Sequence, residues 1–317
     1  MTYQPTAISD DLSTLPKLPT WVTSGRAETP ETVTFRSGAA LTVLDQLLSD
    51  PAHGLPVKLL ANRLALRAAT ATSKLEGRLA READIRDAYH LTPSGEARGP
   101  DGDLLAFWRE AVGLRAGQMG EIADLVGADF ASEVSVWLDA SLERARSNGP
   151  VAGCVAVLRA VLETDDRAER FACLLSDIVL ARALNWKTVL PVTARRLIKA
   201  ALRDLVAEGQ GGELAVQVRI FESIEETIRL ARDLARRAEA LRTIAPKLRA
   251  KGSRAAVDLF LTEDAVAPAS MLSPYICGTS IPMTSRAARR FCDRLVELGV
   301  ARELTGRPTF RLYGIAP

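Results

Sequence analysis

The sequence has few of the residues on which most metal sites and enzyme active sites depend. It contains two histidines, His53 and His90, and four cysteines, and neither type shows the close pairing along the chain that a metal site requires. Four cysteines in 317 residues are also too few for a scaffold held by disulfides. No local Ser-His-Asp or Cys-His pattern indicates nucleophilic catalysis. The composition therefore predicts no metal, no cofactor and no enzymatic activity.

Long apolar runs are also missing. No stretch of eighteen apolar residues occurs, so we expect no transmembrane helix and no membrane partner. The first residues lack the basic and apolar regions of a secretory signal, and we therefore expect a cytoplasmic protein. The apolar content of 47% and the charged content of 25% are those of an ordinary globular chain that is long enough to bury a sizeable core.

The net charge of +2 conceals an uneven distribution. From Arg229 to the last residue there are 16 basic and 8 acidic side chains, whereas the preceding part has 25 basic and 31 acidic ones. This separation predicts a local positive surface near the C-terminal end, attached to an acidic body.

Helical periodicity fills most of the chain and predicts an all-α fold with a multi-helix bundle body. We predict an extended N-terminal arm at 1–34, pinned by Trp21, and a helical body at 35–212. The glycines around position 211 indicate the boundary at which the body ends. The predicted helices of the body cover 35–48, 57–74, 82–90, a segment from 104, 134–146, 151–162, 168–184 and 194–207.

A long connecting helix is predicted at 213–252, with its regular pattern over 213–248. Its apolar positions step by three and four, close to a heptad seam. They are Ile220, Ile224, Thr227, Ala231, Leu234, Ala238 and Leu241. Two interpretations stay open at this point: the seam joins two copies in a homodimer, or it packs against the protein's own body.

The segment 253–317 has the pattern of a winged helix-turn-helix, with helices predicted at 253–261, at 265–272 and from Thr284 onward. The last of these has an apolar stripe and an arginine-rich face, and Gly299 ends it. The stripe contains Ala288, Phe291, Cys292, Leu295 and Leu298. The link between the second and third helices is longer than the usual turn of three or four residues.

A short β-hairpin is predicted to follow the last helix. Strands at 300–304 and 309–313 flank the turn residues 305–308, and Phe310 and Leu312 are expected on the same side of the second strand. A basic hairpin beside an arginine-faced helix is typical of a module that contacts bases and phosphates together.

We therefore predict sequence-specific binding to double-stranded DNA, in transcription control or in plasmid or mobile-element maintenance. A helix in the major groove and a wing against phosphates or the minor groove would supply the contacts. The predicted base contacts are Ser285, Arg286, Arg289 and Arg290, the predicted backbone contact is Arg294, and the predicted wing contacts are Arg307, Thr309 and Arg311. The alternative is a non-catalytic helical scaffold whose winged module holds another protein.

Over its whole length the chain resembles an uncharacterised family of bacterial, often plasmid-borne proteins. Four phrases carry the resemblance, at 63–78, 81–92, 174–186 and 286–314. The last of them reads RAARRFCDRLVELGVARELTGRPTFRLYG and is similar to the winged-helix ends of several bacterial families. The resemblance implies a layout and no activity.

A second, fainter resemblance is to Fic-domain AMP-transferases, some of which also end in a winged helix. Residues 72–77 read TSKLEG, which fits the inhibitory helix motif [ST]-x-x-x-E-[GN] of that family. The family's catalytic loop, H-P-F-x-x-G-N-G-R, has no counterpart, because His53 is followed by Gly-Leu-Pro and His90 by Leu-Thr-Pro. This resemblance supplies a third hypothesis, a degenerate nucleotide-transferring protein that binds a nucleotide near Glu76.

Overall fold

The computed structural model describes residues 15–25, 29–93, 95–127, 130–207, 210–248, 251–307 and 309–315. The described part of the chain contains thirteen α-helices and one two-stranded antiparallel sheet, so the predicted all-α class is confirmed. The helices are α1 Thr20–Thr23, α2 Pro30–Ser49, α3 Val57–Leu75, α4 Glu82–Leu91, α5 Gly99–Gly113, α6 Met119–Val126, α7 Val134–Asn148, α8 Pro150–Thr164, α9 Glu169–Ala183, α10 Lys199–Ala207, α11 Gln210–Ile244, α12 Ser253–Phe260 and α13 Ser285–Glu297. The strands are β1 Ala301–Glu303 and β2 Tyr313–Ile315.

Two helices, α3 and α9, form the centre of the body. Their sequences are rich in alanine and leucine, and most of their residues are buried. Helices with so many buried positions must be covered by neighbouring helices. The α7–α8 pair packs against α9, α4 and α5 pack against α3, and α11 packs along α2 and α10.

The prediction for the N-terminal arm is partly wrong. Residues 1–14 and 26–28 lie outside the described residues, but α1 and the start of α2 at Pro30 are helical. Thr29 caps α2 by accepting a hydrogen bond from the backbone N–H of Thr32, and proline suits the first helical position. The anchor of this segment is the fully buried Val22, whereas Trp21 is 54% exposed.

The predicted helix at 194–207 is interrupted, and Gly211 and Gly212 lie in the first turn of a helix, whereas Gly209 lies outside the described residues. A 3₁₀ turn at Ala194–Arg196 precedes α10, and α11 begins at Gln210. A Cβ atom on Gly212 would overlap the backbone oxygen of Asp204. Gly212 therefore permits a close approach between α10 and α11, a role that the sequence pattern does not distinguish from a loop.

The apolar seam of α11 packs against the protein's own body. Its seven predicted residues are all buried, and α11 contacts α2, α8 and α10. The homodimer interpretation is therefore wrong for this seam, because a second copy would have to displace α2. The buried side chains of the terminal segment and of the body form one continuous apolar cluster. The core therefore does not divide at the predicted domain boundaries, and these boundaries stay a prediction.

A buried carboxylate organises the connection between α9 and α10. One oxygen of Asp177 accepts hydrogen bonds from the backbone N–H groups of Val192 and Thr193, at 2.9 and 2.8 Å. The other oxygen is buried without a hydrogen-bond partner among the described residues. Burial raises the pKa of Asp177 to about 7, against an ordinary value of 3.8.

This pKa predicts that Asp177→Asn stabilises the protein at alkaline pH. The folded state keeps the Asp177 proton up to about pH 7 while the unfolded state loses it near pH 3.8, so wild-type stability should fall as the pH rises through this window. The amide stays neutral and its oxygen can accept both hydrogen bonds. Urea unfolding should give the variant an advantage on the order of 3 kcal/mol at pH 8 and little at pH 4.

A control variant separates the charge of Asp177 from its hydrogen bonds. Asp177→Ala leaves the amides of Val192 and Thr193 without their acceptor, so it should be destabilised at both pH values. Parallel pH profiles for wild type and Asp177→Asn would contradict the raised pKa.

Among the described residues, no helix combines the length and the apolar character that crossing a membrane requires.

The terminal segment contains one helix fewer than predicted. In place of a helix at 265–272, Val266 forms an isolated antiparallel bridge with Tyr313, and a single π-helical turn follows at Pro268–Leu272. Proline disfavours the helical conformation of the residue before it, and Ala267 is accordingly extended, with ψ 113°. Pro268 therefore converts the start of the predicted helix into a strand-like segment.

The second strand of the hairpin lies further along the chain than predicted. Ala301 pairs with Ile315 and Glu303 with Tyr313, so β2 begins where the predicted strand ends. Phe310 has φ +55° and is 74% exposed, whereas Leu312 is fully buried. The two side chains therefore do not share a face, because the left-handed residue breaks the alternation that the sequence pattern implied.

Candidate nucleic-acid interface

The helix α13 is defined at both ends by local hydrogen bonds. The hydroxyl of Thr284 accepts a hydrogen bond from the backbone N–H of Ala287, at 3.3 Å. At the other end Gly299 has φ +71°, and the N–H of Val300 donates to the carbonyl of Leu295, at 3.1 Å. This is a Schellman motif, in which a left-handed glycine satisfies the last carbonyls. Both ends are where the sequence predicted them.

The two faces of α13 differ as the periodicity predicted. Ala288, Phe291, Cys292 and Leu295 are buried against the rest of the protein, and Leu298 is half-buried. The opposite face is exposed and carries Ser285, Arg286, Arg289, Arg290, Asp293, Arg294 and Glu297. The helix is therefore held by its apolar side and presents its arginines to solvent.

The guanidinium groups of α13 are largely free of competing partners. Arg286 and Arg290 form no ion pair within the described part of the chain. Arg294 pairs with Glu297 at 2.9 Å on the exposed surface, where such a pair is worth little. Arg289 uses one N–H to contact the backbone carbonyl of Ser285, at 3.3 Å. These cations can exchange their present contacts for phosphate or base contacts at small cost.

The exposed side chains of α13 border two grooves, one on each flank of the helix. We call the first the helix groove; it has a volume of about 350 Å³ and contains Arg286, Arg290, Arg294 and Leu248. The second, the helix–wing groove, has a volume of about 810 Å³ and contains Ser285, Arg289, Asp293, Thr309, Phe310, Arg311 and Tyr313. Arg286, Arg290 and Arg294 therefore form one row at four-residue spacing, and Arg289 lies on the other flank between Ser285 and Asp293 in the sequence of that row.

The wing, residues 304–312, leaves the sheet beside α13. The Glu303 carboxylate accepts hydrogen bonds from the N–H groups of Thr305 and Gly306, at 2.8 and 2.7 Å, and from the Thr305 hydroxyl. Burial raises the pKa of Glu303, but these hydrogen bonds outweigh that effect and place the pKa below its ordinary value. The N–H of Leu304 donates to the carbonyl of Leu312, which closes the wing at its base.

The predicted wing contacts occupy different environments. Arg311 is exposed, and its Nε donates to the carbonyl of Arg307 at 3.1 Å. Thr309 is exposed at the edge of the helix–wing groove. Arg307 lies 3.3 Å from the carboxylate of Asp87 on α4, so this arginine ties the wing to the body. Pro308 lies outside the described residues.

A buried polar cluster attaches the terminal segment to the body, and the sequence analysis did not find it. The Asp264 carboxylate accepts hydrogen bonds from Arg109 at 2.6 Å and from His90 at 3.3 Å, and Arg109 also pairs with Glu263. Burial raises the pKa of Asp264, but the neighbouring His90, Arg109 and Arg63 outweigh it and hold the pKa at about 2. The terminal segment is therefore fixed in orientation relative to α4 and α5.

Three backbone carbonyls of the terminal segment also accept hydrogen bonds from the body. Asn62 donates to Thr262 at 2.8 Å, Arg63 to Ile315 at 2.7 Å, and Arg86 to Leu304 at 3.0 Å. These bonds reach the start, the end and the wing of the segment. They hold the exposed face of α13 and the wing in one fixed arrangement.

The side chain of Glu76, in the Fic-like phrase, is engaged in ion pairs. Its two oxygens accept hydrogen bonds from Arg170, at 2.7 and 2.9 Å, and one of them also pairs with Arg78 at 3.0 Å. These contacts join the end of α3 to the start of α9. Within the described ranges, no three histidine, cysteine, aspartate or glutamate side chains come together as metal ligands.

Comparisons with known proteins place the chain in a family without assigning it an activity. No curated protein matches it. One family model, described as a protein of unknown function (DUF1403), matches residues 6–315. The predicted membership in an uncharacterised family is therefore confirmed. Because the match covers nearly the whole sequence, the chain belongs to the DUF1403 family.

Proposed function

We propose that this protein binds double-stranded DNA through the exposed face of α13 and the adjacent wing. The observation that carries the proposal is the set of outward guanidinium groups on α13, which lack strong internal partners and lie on both flanks of a rigidly held helix. An α-helix fits the major groove of B-DNA, whose phosphates lie along both of its edges. Arginines on both flanks of α13, three on one side and Arg289 on the other, suit that arrangement.

The order of elements in the terminal segment supports a winged-helix interpretation. It runs from α12 through the strand-like residue Val266 and a turn to α13, and then through β1, the wing and β2. In helix-turn-helix proteins the last helix of the motif reads the major groove, and basic arms or wings contact the neighbouring backbone. We assign Arg286, Arg289 and Arg290 to base and phosphate contacts, and Arg311 to a wing contact.

The body supports this function by fixing the orientation of α13. The contacts of Asp264, Arg63 and Arg86 tie the terminal segment to the body. A pre-ordered surface loses less entropy on binding than a tethered one. We accordingly propose sequence-specific recognition in transcription control or in plasmid or mobile-element maintenance, and a cytoplasmic location, where DNA is accessible.

The salt dependence of binding tests the proposal. Fluorescence anisotropy with a labelled 30-base-pair duplex should show affinity that falls steeply with salt, because each neutralised phosphate releases counterions. Four to six phosphate contacts would lower the affinity by on the order of 10²–10³-fold between 50 and 200 mM salt. Selection from random duplexes, followed by the same titration, would show whether one sequence is preferred.

The same titration distinguishes the alternative function, a helical scaffold that holds another protein. An apolar protein interface responds little to salt, and such a scaffold would show no duplex binding at 50 mM salt. Absence of duplex binding at low salt would contradict the DNA-binding proposal.

A further inference from the structure

Phe310, in the wing, has a conformation and an exposure that packing does not explain. Its side chain is 74% exposed, and its φ of +55° lies in the left-handed region. A bulky aromatic residue rarely adopts this conformation, which costs conformational energy. Within the described residues, Phe310 belongs to neither of the two apolar clusters. The Phe310 ring is therefore exposed to solvent and adds little to the packing of the folded protein.

The helix–wing groove beside this ring has the size and the polar groups of a ligand site. Its volume of about 810 Å³ lies within the range of small-molecule pockets. Arg289 on α13 and Arg311 on the wing both border it, and both are exposed. Asp293 also borders it, and its carboxylate accepts a hydrogen bond from the Tyr313 hydroxyl at 3.1 Å.

These groups match the parts of one nucleotide. An aromatic ring offers a stacking surface for any base, and guanidinium groups bind phosphate. A carboxylate accepts hydrogen bonds from the amino group of a base, as it does from cytosine in the major groove. A groove that contained only arginines would suit a phosphate alone, and one that contained only apolar side chains would suit a base and leave the phosphate without a partner.

We propose that Phe310 stacks on an unstacked base of the bound DNA and that this base occupies the helix–wing groove. The phosphate of the same nucleotide then lies near Arg289 and Arg311. This inference rests on the proposed function and names the DNA feature that the site recognises. Aromatic and aliphatic wedges that separate base steps occur in other proteins that bend DNA from the minor groove.

The stacking role of Phe310 predicts which DNA sites the protein prefers. Unstacking a base costs energy, and the cost is lowest where the base is unpaired or the step is flexible. The protein should therefore prefer a duplex with a single unpaired nucleotide to a fully paired duplex of the same length. Among paired sequences it should prefer those with TA or CA steps at the wing position.

The test compares two 30-base-pair duplexes, one fully paired and one with a single extra adenine in one strand. Anisotropy titrations at fixed salt should show roughly 10-fold tighter binding of the wild-type protein to the bulged duplex, the contribution expected for one stacked base. With 2-aminopurine as the extra base, stacking on Phe310 should change the fluorescence on binding. Phe310→Ala should lose both effects and keep its affinity for the paired duplex within a few-fold.

A second variant separates stacking from folding. Phe310→Trp keeps an aromatic surface and should retain the preference for the bulged duplex, and thermal melting should be nearly unchanged in both variants because the side chain is exposed. If the wild type binds both duplexes equally, or if Phe310→Ala keeps the preference, the stacking role is overturned while DNA binding stands. If no duplex binds at low salt, the proposed function fails and the stacking role fails with it.

Discussion

Asp264→Ala should destabilise the folded protein by about 3–5 kcal/mol, because removing one partner of a buried ion pair leaves the others uncompensated. The Asp264 carboxylate is fully buried, and it accepts hydrogen bonds from Arg109 and His90. The variant leaves the Arg109 guanidinium with Glu263 as its remaining carboxylate partner. Urea unfolding at pH 7 gives the difference in free energy of unfolding directly, if both proteins have the same slope of unfolding free energy against urea concentration.

A matched control removes a carboxylate from an exposed ion pair. Glu143 pairs with Arg146 on the surface of α7 at 2.9 Å, so Glu143→Ala should cost less than about 1 kcal/mol. Equal effects of the two substitutions would show that the Asp264 cluster does not anchor the terminal segment.

The pH dependence gives a second readout of the same cluster. The pKa of Asp264 is about 2 in the folded protein, below its ordinary value of 3.8. Its contribution to stability should therefore be complete above about pH 5 and should decline as the pH falls from there toward 2. Asp264→Ala should lack this decline. The difference in free energy of unfolding between the wild type and the variant should therefore narrow between pH 5 and pH 3. A constant difference would contradict the lowered pKa.

The double substitution Arg289→Ala/Arg290→Ala should weaken duplex binding by on the order of 2–5 kcal/mol and leave folding intact. Arg289 borders the helix–wing groove and Arg290 the helix groove, so the variant removes one cation from each flank of α13. Because both side chains are exposed, the thermal unfolding midpoint should stay nearly unchanged. The slope of log affinity against log salt concentration should become shallower by about 2, which corresponds to the loss of two phosphate contacts.

A control pair removes the same charge from the body. Arg144 on α7 and Arg203 on α10 are exposed and distant in sequence from α13. Arg144→Ala/Arg203→Ala lowers the net charge equally and should leave affinity within a few-fold of the wild type. Equal losses in the two double variants would indicate attraction by overall charge, with no interface on α13.

The parts that could be predicted from the sequence are those in which local signals agree. For α13 the cap at Thr284, the apolar stripe and the stop at Gly299 all indicated the same helix, and its limits and faces were confirmed. The long periodic run of α11 was also evident, but periodicity alone does not tell which partner covers the apolar side. Here α2 covers it, and that contact joins segments far apart in the chain.

The parts that could not be predicted depend on contacts between distant residues or on one exceptional backbone angle. Arg109 and Asp264, which form a hydrogen bond, are 155 residues apart in the sequence, and no local pattern in either segment predicts this contact. Gly212 looked like a boundary because a close helix crossing and a loop both favour glycine. The path of the wing depends on the left-handed conformation of Phe310, which a strand-like alternation of residues conceals.

Site-specific photo-cross-linking reports which face of the protein contacts DNA. Arg294→p-benzoylphenylalanine places a cross-linker on the exposed face of α13, and Val136→p-benzoylphenylalanine places the same group on α7, where Val136 is 66% exposed. With a labelled duplex at 50 mM salt, we predict DNA adducts from position 294 and none from position 136. Adducts from position 136 alone, or equal yields from both positions, would show that DNA does not bind at α13.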